Sequence, residues 1–230
     1  MTSIFQGLID ILIPPKCFIC EALSSDPFCE SCLRKIDYID QQKICIKCGR
    51  PTVESLDLCR DCRKRYFRFD LARSVGFYQG TLKQAIKALK YDNGLKAGAV
   101  LADLAITKLR SFIDCDLIVP VPITLTKQLR RGYNQAEIIT TAFSKKLGIE
   151  SRSVLQIVRP VEDQAGLHLQ ERKKNVDKAF ELKRGADVAG KSVLLVDNVF
   201  TSGFTASSIA LLLKKSAVKE VRVLTIARAL

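Results

Sequence analysis

A chain of 230 residues with 47% hydrophobic and 27% charged side chains is long enough to bury a core and too apolar to be disordered. Its formal net charge of +13 is uneven: residues 1–70 carry 11 Lys/Arg against 10 Asp/Glu, and residues 71–230 carry 26 against 14. No apolar run reaches the ~20 residues needed to cross a bilayer, so no stable membrane insertion is expected.

The start, MTSIFQGLIDILIPP, lacks a basic leader region, and Asp10 interrupts its apolar run. It reads as an amphipathic lead-in helix over residues 1–16 rather than a signal peptide, with Phe5, Leu8, Ile9 and Leu12 on one face. A cytoplasmic location follows as an expectation.

Residues 17–65 contain four C-x-x-C pairs: Cys17/Cys20, Cys29/Cys32, Cys45/Cys48 and Cys59/Cys62. Two such pairs complete a tetrahedral Cys₄ site, so eight thiolates imply two structural zinc ions in a double zinc ribbon. The spacing allows sequential pairing (17, 20, 29, 32 and 45, 48, 59, 62) or a crossed one. Gly49, directly after Cys48, suits a knuckle turn with positive φ. The ninth cysteine, Cys115, stands alone and reads as a small core residue. The run RKRYFRFD (63–70) mixes bases and aromatics; it reads as a linker whose rings pack back on the domain that follows.

That domain, 71–230, alternates strand and helix patterns. Strands are expected at Ala72–Tyr78, Asp116–Pro122, Val154–Val158, Ala179–Leu182, Val193–Val196 and Val221–Ile226. Helices are expected from Gly80, from Leu95 to Phe112, from Tyr133 to Leu147 and from Ala206 to Lys215. The order favours an α/β fold: a parallel sheet with helices on both faces. Between strand and helix, ITLTKQLRRGYNQA reads as a loop carrying Lys127, Arg130 and Arg131, suited to a pyrophosphate. The polar stretch 159–176 carries a basic cluster, Arg172, Lys173 and Lys174, and the lone His168.

The most informative stretch is VLLVDNVFTSGFTA, Val193 to Ala206. An apolar strand ends at Asp197 and Asn198, and a hydroxyl-rich loop of Thr201, Ser202, Gly203 and Thr205 leads into a helix. Free N–H groups, hydroxyls and the positive helix end form a phosphate site. A carboxylate at the strand end accepts from sugar hydroxyls or holds hydrated Mg²⁺. A sugar phosphate satisfies both ends.

The stretch resembles the 5-phosphoribosyl-1-pyrophosphate (PRPP) motif of type I phosphoribosyltransferases. The resemblance implies PRPP and Mg²⁺ as ligands. Its binding residues would be Asp197, Asn198, Thr201, Ser202, Gly203, Phe204 and Thr205, with Arg130 and Arg131 on the pyrophosphate. Asp197 and Asn198 are the catalytic candidates. Asn198 stands where the family usually has a second acid, Ser202 replaces a Thr, and Phe204 replaces a small residue. The resemblance also suggests that the helical stretch 80–112 forms a hood over an acceptor base.

Four knuckles, then LKYDN (89–93), VPVP (119–122), RRGYNQA (130–136), Arg159, Gln164, Leu167, Arg172, Asn175, Ala179-Phe180, VDNVFTSGFT (196–205) and IAR (226–228) together resemble the ComF family of competence proteins. That resemblance spans the whole chain. It implies a protein that handles incoming single-stranded DNA in natural transformation, with competence-machinery partners and a PRPP-binding domain. The alternative is an active phosphoribosyltransferase of nucleotide metabolism. The basic excess in 71–230 suits either polyanion.

Overall fold

A computed structural model describes residues 14–52, 58–89, 94–159 and 169–229. Most of the expected lead-in helix lies outside them, as do Lys90–Asn93, Gln164, Leu167 and His168. Two short helices, α1 (Glu30–Arg34) and α2 (Arg60–Lys64), precede β1 (Leu71–Phe77). Then come α3 (Gly80–Ala88), α4 (Gly94–Leu109), β2 (Leu117–Pro120), α5 (Leu125–Arg131), α6 (Gln135–Leu147) and β3 (Leu155–Ile157). The chain continues through α7 (Leu169–Val176), β4 (Phe180–Leu182), β5 (Ser192–Phe200), α8 (Phe204–Lys215) and β6 (Glu220–Arg228).

The main sheet runs β1-β6-β5-β2, all parallel. Its central strands read as continuous apolar runs because both faces are covered. On one face Leu194, Val196, Leu224 and Ile226 meet apolar residues of α3, α4 and α6. On the other, Val193, Leu195, Val221 and Val223 meet Ile209, Ala210 and Leu213 of α8. Two expectations need correction. β3 and β4 do not join the main sheet; they form a separate antiparallel pair, Leu155 opposite Leu182. At three residues each, they are too short to reveal their partner by pattern. Among the described residues of the stretch 80–112, α3 and α4 lie on the sheet face, where their apolar stripes are buried, rather than outside the sheet as a hood would.

The cysteines gather sequentially, not crossed: Cys17, Cys20, Cys29 and Cys32 in one cluster, Cys45, Cys48, Cys59 and Cys62 in the other. Within each cluster all sulfurs lie within 4.8 Å of one another. A Zn–S bond of about 2.3 Å sets tetrahedral S···S edges of about 3.8 Å. Cys20 Sγ to Cys29 Sγ and Cys48 Sγ to Cys59 Sγ are each 3.7 Å, so the donor sets fit zinc. Each cluster repeats one device: the N–H of Cys29 donates to Cys17 Sγ, and that of Cys59 to Cys45 Sγ, both at 3.3 Å. At Cys17 burial pushes the thiol up, but the N–H groups of Cys29, Cys20 and Ile19 outweigh it and hold it at about 6. A bond from Cys62, and the charge of Arg228, bring Cys48 down to about 5. Thiolates are the form that binds metal.

The two clusters differ in setting. Cys45, Cys48 and Cys59 are buried within the same apolar core as β5 and β6, whereas Cys20 is exposed. Residues around both clusters cover the outer edge of β1. Ala72 N–H donates to the Lys47 carbonyl, Phe77 N–H to that of Asp37, and Ile39 N–H to that of Val75. Gly49 has φ +69°, and a Cβ there would lie 2.5 Å from the Ala72 carbonyl oxygen. The linker rings do pack back: Phe67 and Phe69 are buried and stacked, with centroids 5.1 Å apart.

Elemental analysis of the purified chain should give two zinc ions per molecule. Cys48→Ser and Cys20→Ser should each remove one. Cys48→Ser should lower the melting temperature far more, because its sulfur is part of the sheet's core. Equal losses in the two variants would contradict the shared core.

Candidate functional site

The cleft arises from strands of unequal length. β2 stays paired with β5 only as far as Pro120 opposite Val196. Val121 N–H makes one last bond to the Val196 carbonyl, at 2.9 Å. Pro122, lacking an N–H, cannot extend the ladder. β5 continues, against β6 alone, through Asp197 opposite Thr225 to Phe200 opposite Arg228. Asp197 and Asn198 are therefore inside the strand, not at its end as the pattern suggested. β6 supplies the pairing that extends it, and no local signal announces that.

The space left beside β5 is a cleft of about 230 Å³. Asp197, Thr201, Gly203, Thr205, Lys127 and Thr225 line it. Its loop turns at Gly203, whose φ of +78° suits glycine, and α8 starts at Phe204. A Cβ at Gly203 would lie 2.8 Å from Phe200 Cζ and 3.1 Å from Phe67 Cε1. Conformation and crowding thus both require glycine there.

The loop does not bring every expected side chain to the cleft. Ser202 is buried beside it, and its Oγ makes no hydrogen bond. Phe204 lies 5.8 Å from the Arg65 guanidinium, toward the zinc module. Asn198 is not among the lining residues, and its Oδ1 is buried without a partner. Asp197 is the one carboxyl in the cleft lining. Protein atoms surround it, and that desolvation raises its pKa to about 6, against the opposing pull of the Asn198 N–H, 2.7 Å away, and of Lys127.

Lys127 reaches the cleft because the segment expected as loop is a helix, α5. Thr124 caps its start by accepting from the Lys127 N–H, and Gly132 ends it at φ +78°. Those two caps were the available signal; the exposed Leu125 and Leu129 gave no buried stripe to read. Arg130 lines a larger adjoining cavity of about 780 Å³ together with Lys127, Arg159 and Lys183. Arg131 lines neither cavity and donates to Gln135 Oε1 at 3.0 Å. Arg159 is held at the base of the β3–β4 pair by the Asp177 and Lys174 carbonyls. Phe180 of β4 and Ile157 of β3 close one side of the cleft.

Such a site has hydroxyls and helix-end N–H groups for a phosphate, one carboxyl for a polyol or divalent cation, and a basic hollow next door.

Comparison with known proteins follows these divisions. The double zinc ribbon domain family matches residues 8–63. The chain is 28% identical over 225 residues to Competence protein F of Haemophilus influenzae, covering 93% of this chain and 97% of that protein. It is 28% identical to the DNA utilization protein YhgH of Salmonella typhimurium, covering 96% of this chain and all of that one. A purine phosphoribosyltransferase structure from Pyrococcus horikoshii aligns with 64% of this chain and 72% of its own, at 20% identity and a TM-score of 0.35. With paired Cys₄ clusters and a parallel sheet, the chain is similar nearly end to end to proteins named for competence and DNA utilization.

Proposed function

We propose that the protein handles single-stranded DNA in natural transformation and that its β5–α8 cleft binds PRPP or a related ribose phosphate with Mg²⁺. The observation that carries the ligand is the half-buried Asp197 carboxyl facing the same cleft as Thr201, Thr205 and Lys127. Thr201, Thr205 and the α8 N-terminus would take the 5-phosphate; Asp197 would take ribose hydroxyls or the Mg²⁺ shell. Lys127 and Arg130 would meet the pyrophosphate. The names of the relatives, together with the +12 of residues 71–230, support the DNA reading. The hollow lined by Lys127, Arg130 and Lys183 is its natural path, and competence-machinery proteins and a cytoplasmic setting accompany it. Pentosyl transfer is the alternative use of the same carboxylate, which would stabilise positive charge as pyrophosphate leaves.

The raised pKa gives the ligand reading a sign. Below pH 6 Asp197 keeps its proton and holds no cation. Calorimetric affinity for Mg²⁺-PRPP should therefore rise from pH 5 to 7, by up to about tenfold per unit, and level off above. Phosphate groups titrate in the same range, so Asp197→Asn serves as the control: it should bind more weakly and show the ligand's titration alone. The same pH dependence in both proteins would overturn the assignment of Asp197.

For DNA, affinity for a single-stranded oligonucleotide should fall linearly on a log–log salt plot, with a slope of about −0.7 per phosphate contacted. The double charge reversal Arg130→Glu, Lys183→Glu should flatten that slope. Salt-independent binding, or an unchanged slope in the variant, would remove this hollow from the DNA path.

A further inference from the structure

Arg228 ends β6, in the terminal IAR motif, and has no part in the cleft described above. It is nevertheless a cation with only 3% of its surface exposed. Its Nη1 donates to the Cys48 carbonyl at 2.7 Å, and its Nη2 lies 3.5 Å from Cys48 Sγ. Its guanidinium stacks on the Phe200 ring, 4.4 Å from the centroid. Phe200 is opposite Arg228 in the β5–β6 register. The same Phe200 ring fills the space that a Cβ on Gly203 would need. Gly203 lines the cleft and starts α8. Cys48, Arg228, Phe200 and Gly203 thus touch in an unbroken row from the second cysteine cluster to the phosphate loop.

Charge explains why an arginine is buried there. Zn²⁺ held by four thiolates carries a net charge of −2, and an uncompensated charge is costly in an apolar core. Arg228 is a buried counter-charge in direct contact with one ligand residue, as second-shell donors to metal sites are. Its planar fork allows it to bond Cys48 and stack on Phe200 at once, which a lysine cannot do. The first cluster sits elsewhere: Cys17 lines a different cavity, with Gln84 and Lys87 of α3.

We propose that Arg228 is a positioning residue that couples the second zinc centre to the phosphate loop, so that zinc at Cys45–Cys62 and ribose phosphate at the cleft each strengthen the binding of the other. The coupling rests on the reading of the cleft as a ribose-phosphate site. Reciprocity is required by linkage: whatever PRPP does to zinc affinity, zinc does to PRPP affinity.

The test is competition of the full-length, two-zinc protein against a graded chelator, with and without Mg²⁺-PRPP, while calorimetry reports PRPP binding separately. In the wild type, PRPP should raise the affinity of the zinc at Cys45–Cys62, identified as the one lost in Cys48→Ser, by about fivefold or more and leave the other unchanged. Arg228→Lys, which keeps the charge and loses the fork, should loosen that zinc alone. Phe200→Leu, which keeps the Arg228–Cys48 bonds, should hold zinc as before and lose the response to PRPP. PRPP that binds without changing the affinity of either zinc, or that changes both equally, overturns the coupling and leaves the cleft assignment standing. If PRPP fails to bind the zinc-loaded wild type, the cleft assignment falls and the coupling falls with it. A Phe200→Leu protein that keeps the full PRPP response would remove Phe200 from the route.

Discussion

Burial of three cysteines of the second cluster inside the sheet's own core is the constraint on which the rest depends. Cys45, Cys48 and Cys59 belong to the same apolar cluster as Phe69, Leu195 and Val223. A small module seldom buries enough surface to fold alone, and metal ligation supplies what the apolar core cannot. Here the second cluster also covers an edge of the sheet, through the Lys47–Ala72 bond and the close approach of Gly49. An uncovered parallel edge would expose unpaired N–H and C=O groups. Metal centre and sheet therefore each complete the other, and the linker between them is threaded through the joint. The Arg68 N–H bonds Ser207 Oγ of α8, and Asp70 accepts from the Val221 N–H while pairing with Lys214.

The cleft follows from the same economy of strands. β5 outlasts β2 because Pro122, which has no N–H, ends the ladder on that side, while β6 continues on the other. A strand with one neighbour missing offers side chains to solvent at the carboxyl edge of the sheet, where open α/β sheets bind ligands. Asp197 occupies the first position past the break. The β3–β4 pair, outside the main sheet, then walls the opening with Ile157 and Phe180.

Much of this was legible in residue types. Eight cysteines at fixed spacing identify two metal sites because chelation geometry needs few residues and tolerates little variation. Val193–Val196 reads as a two-face-buried strand because a short, valine-rich apolar run ends at polar Asp197 and Asn198 and a hydroxyl-rich loop. What stayed hidden depended on distant partners. The length of β5 is set by β6, whose paired residues lie 28 positions later in sequence (Asp197 opposite Thr225), and the pairing of β3 with β4 spans a polar stretch without periodicity. α5 went unread because its Leu125 and Leu129 face solvent, so it lacks the apolar stripe by which helices are found. The role of Arg228 was invisible for the same reason. An arginine at a strand end is ordinarily a surface residue, and only the fold brings Cys48 to it from 180 positions away.

The departure at Asn198 takes on a different meaning in three dimensions. In sequence it removes an acid from a two-acid motif. In the structure residue 198 does not line the cleft, and its Oδ1 is enclosed by protein. An aspartate there would place a second carboxylate beside Asp197 in a poorly hydrated setting, and each would oppose the ionisation of the other. With an amide instead, Asp197 titrates as a single group at about 6, governed by burial and countered by Lys127 and its neighbour's N–H. The amide thus leaves the cleft with one carboxyl that is ionised at neutral pH and ready for a cation or a sugar. It trades the stronger electrostatic field of a paired site for a single carboxyl whose charge is set by its own surroundings, which fits the proposed reading of the cleft as a binding site.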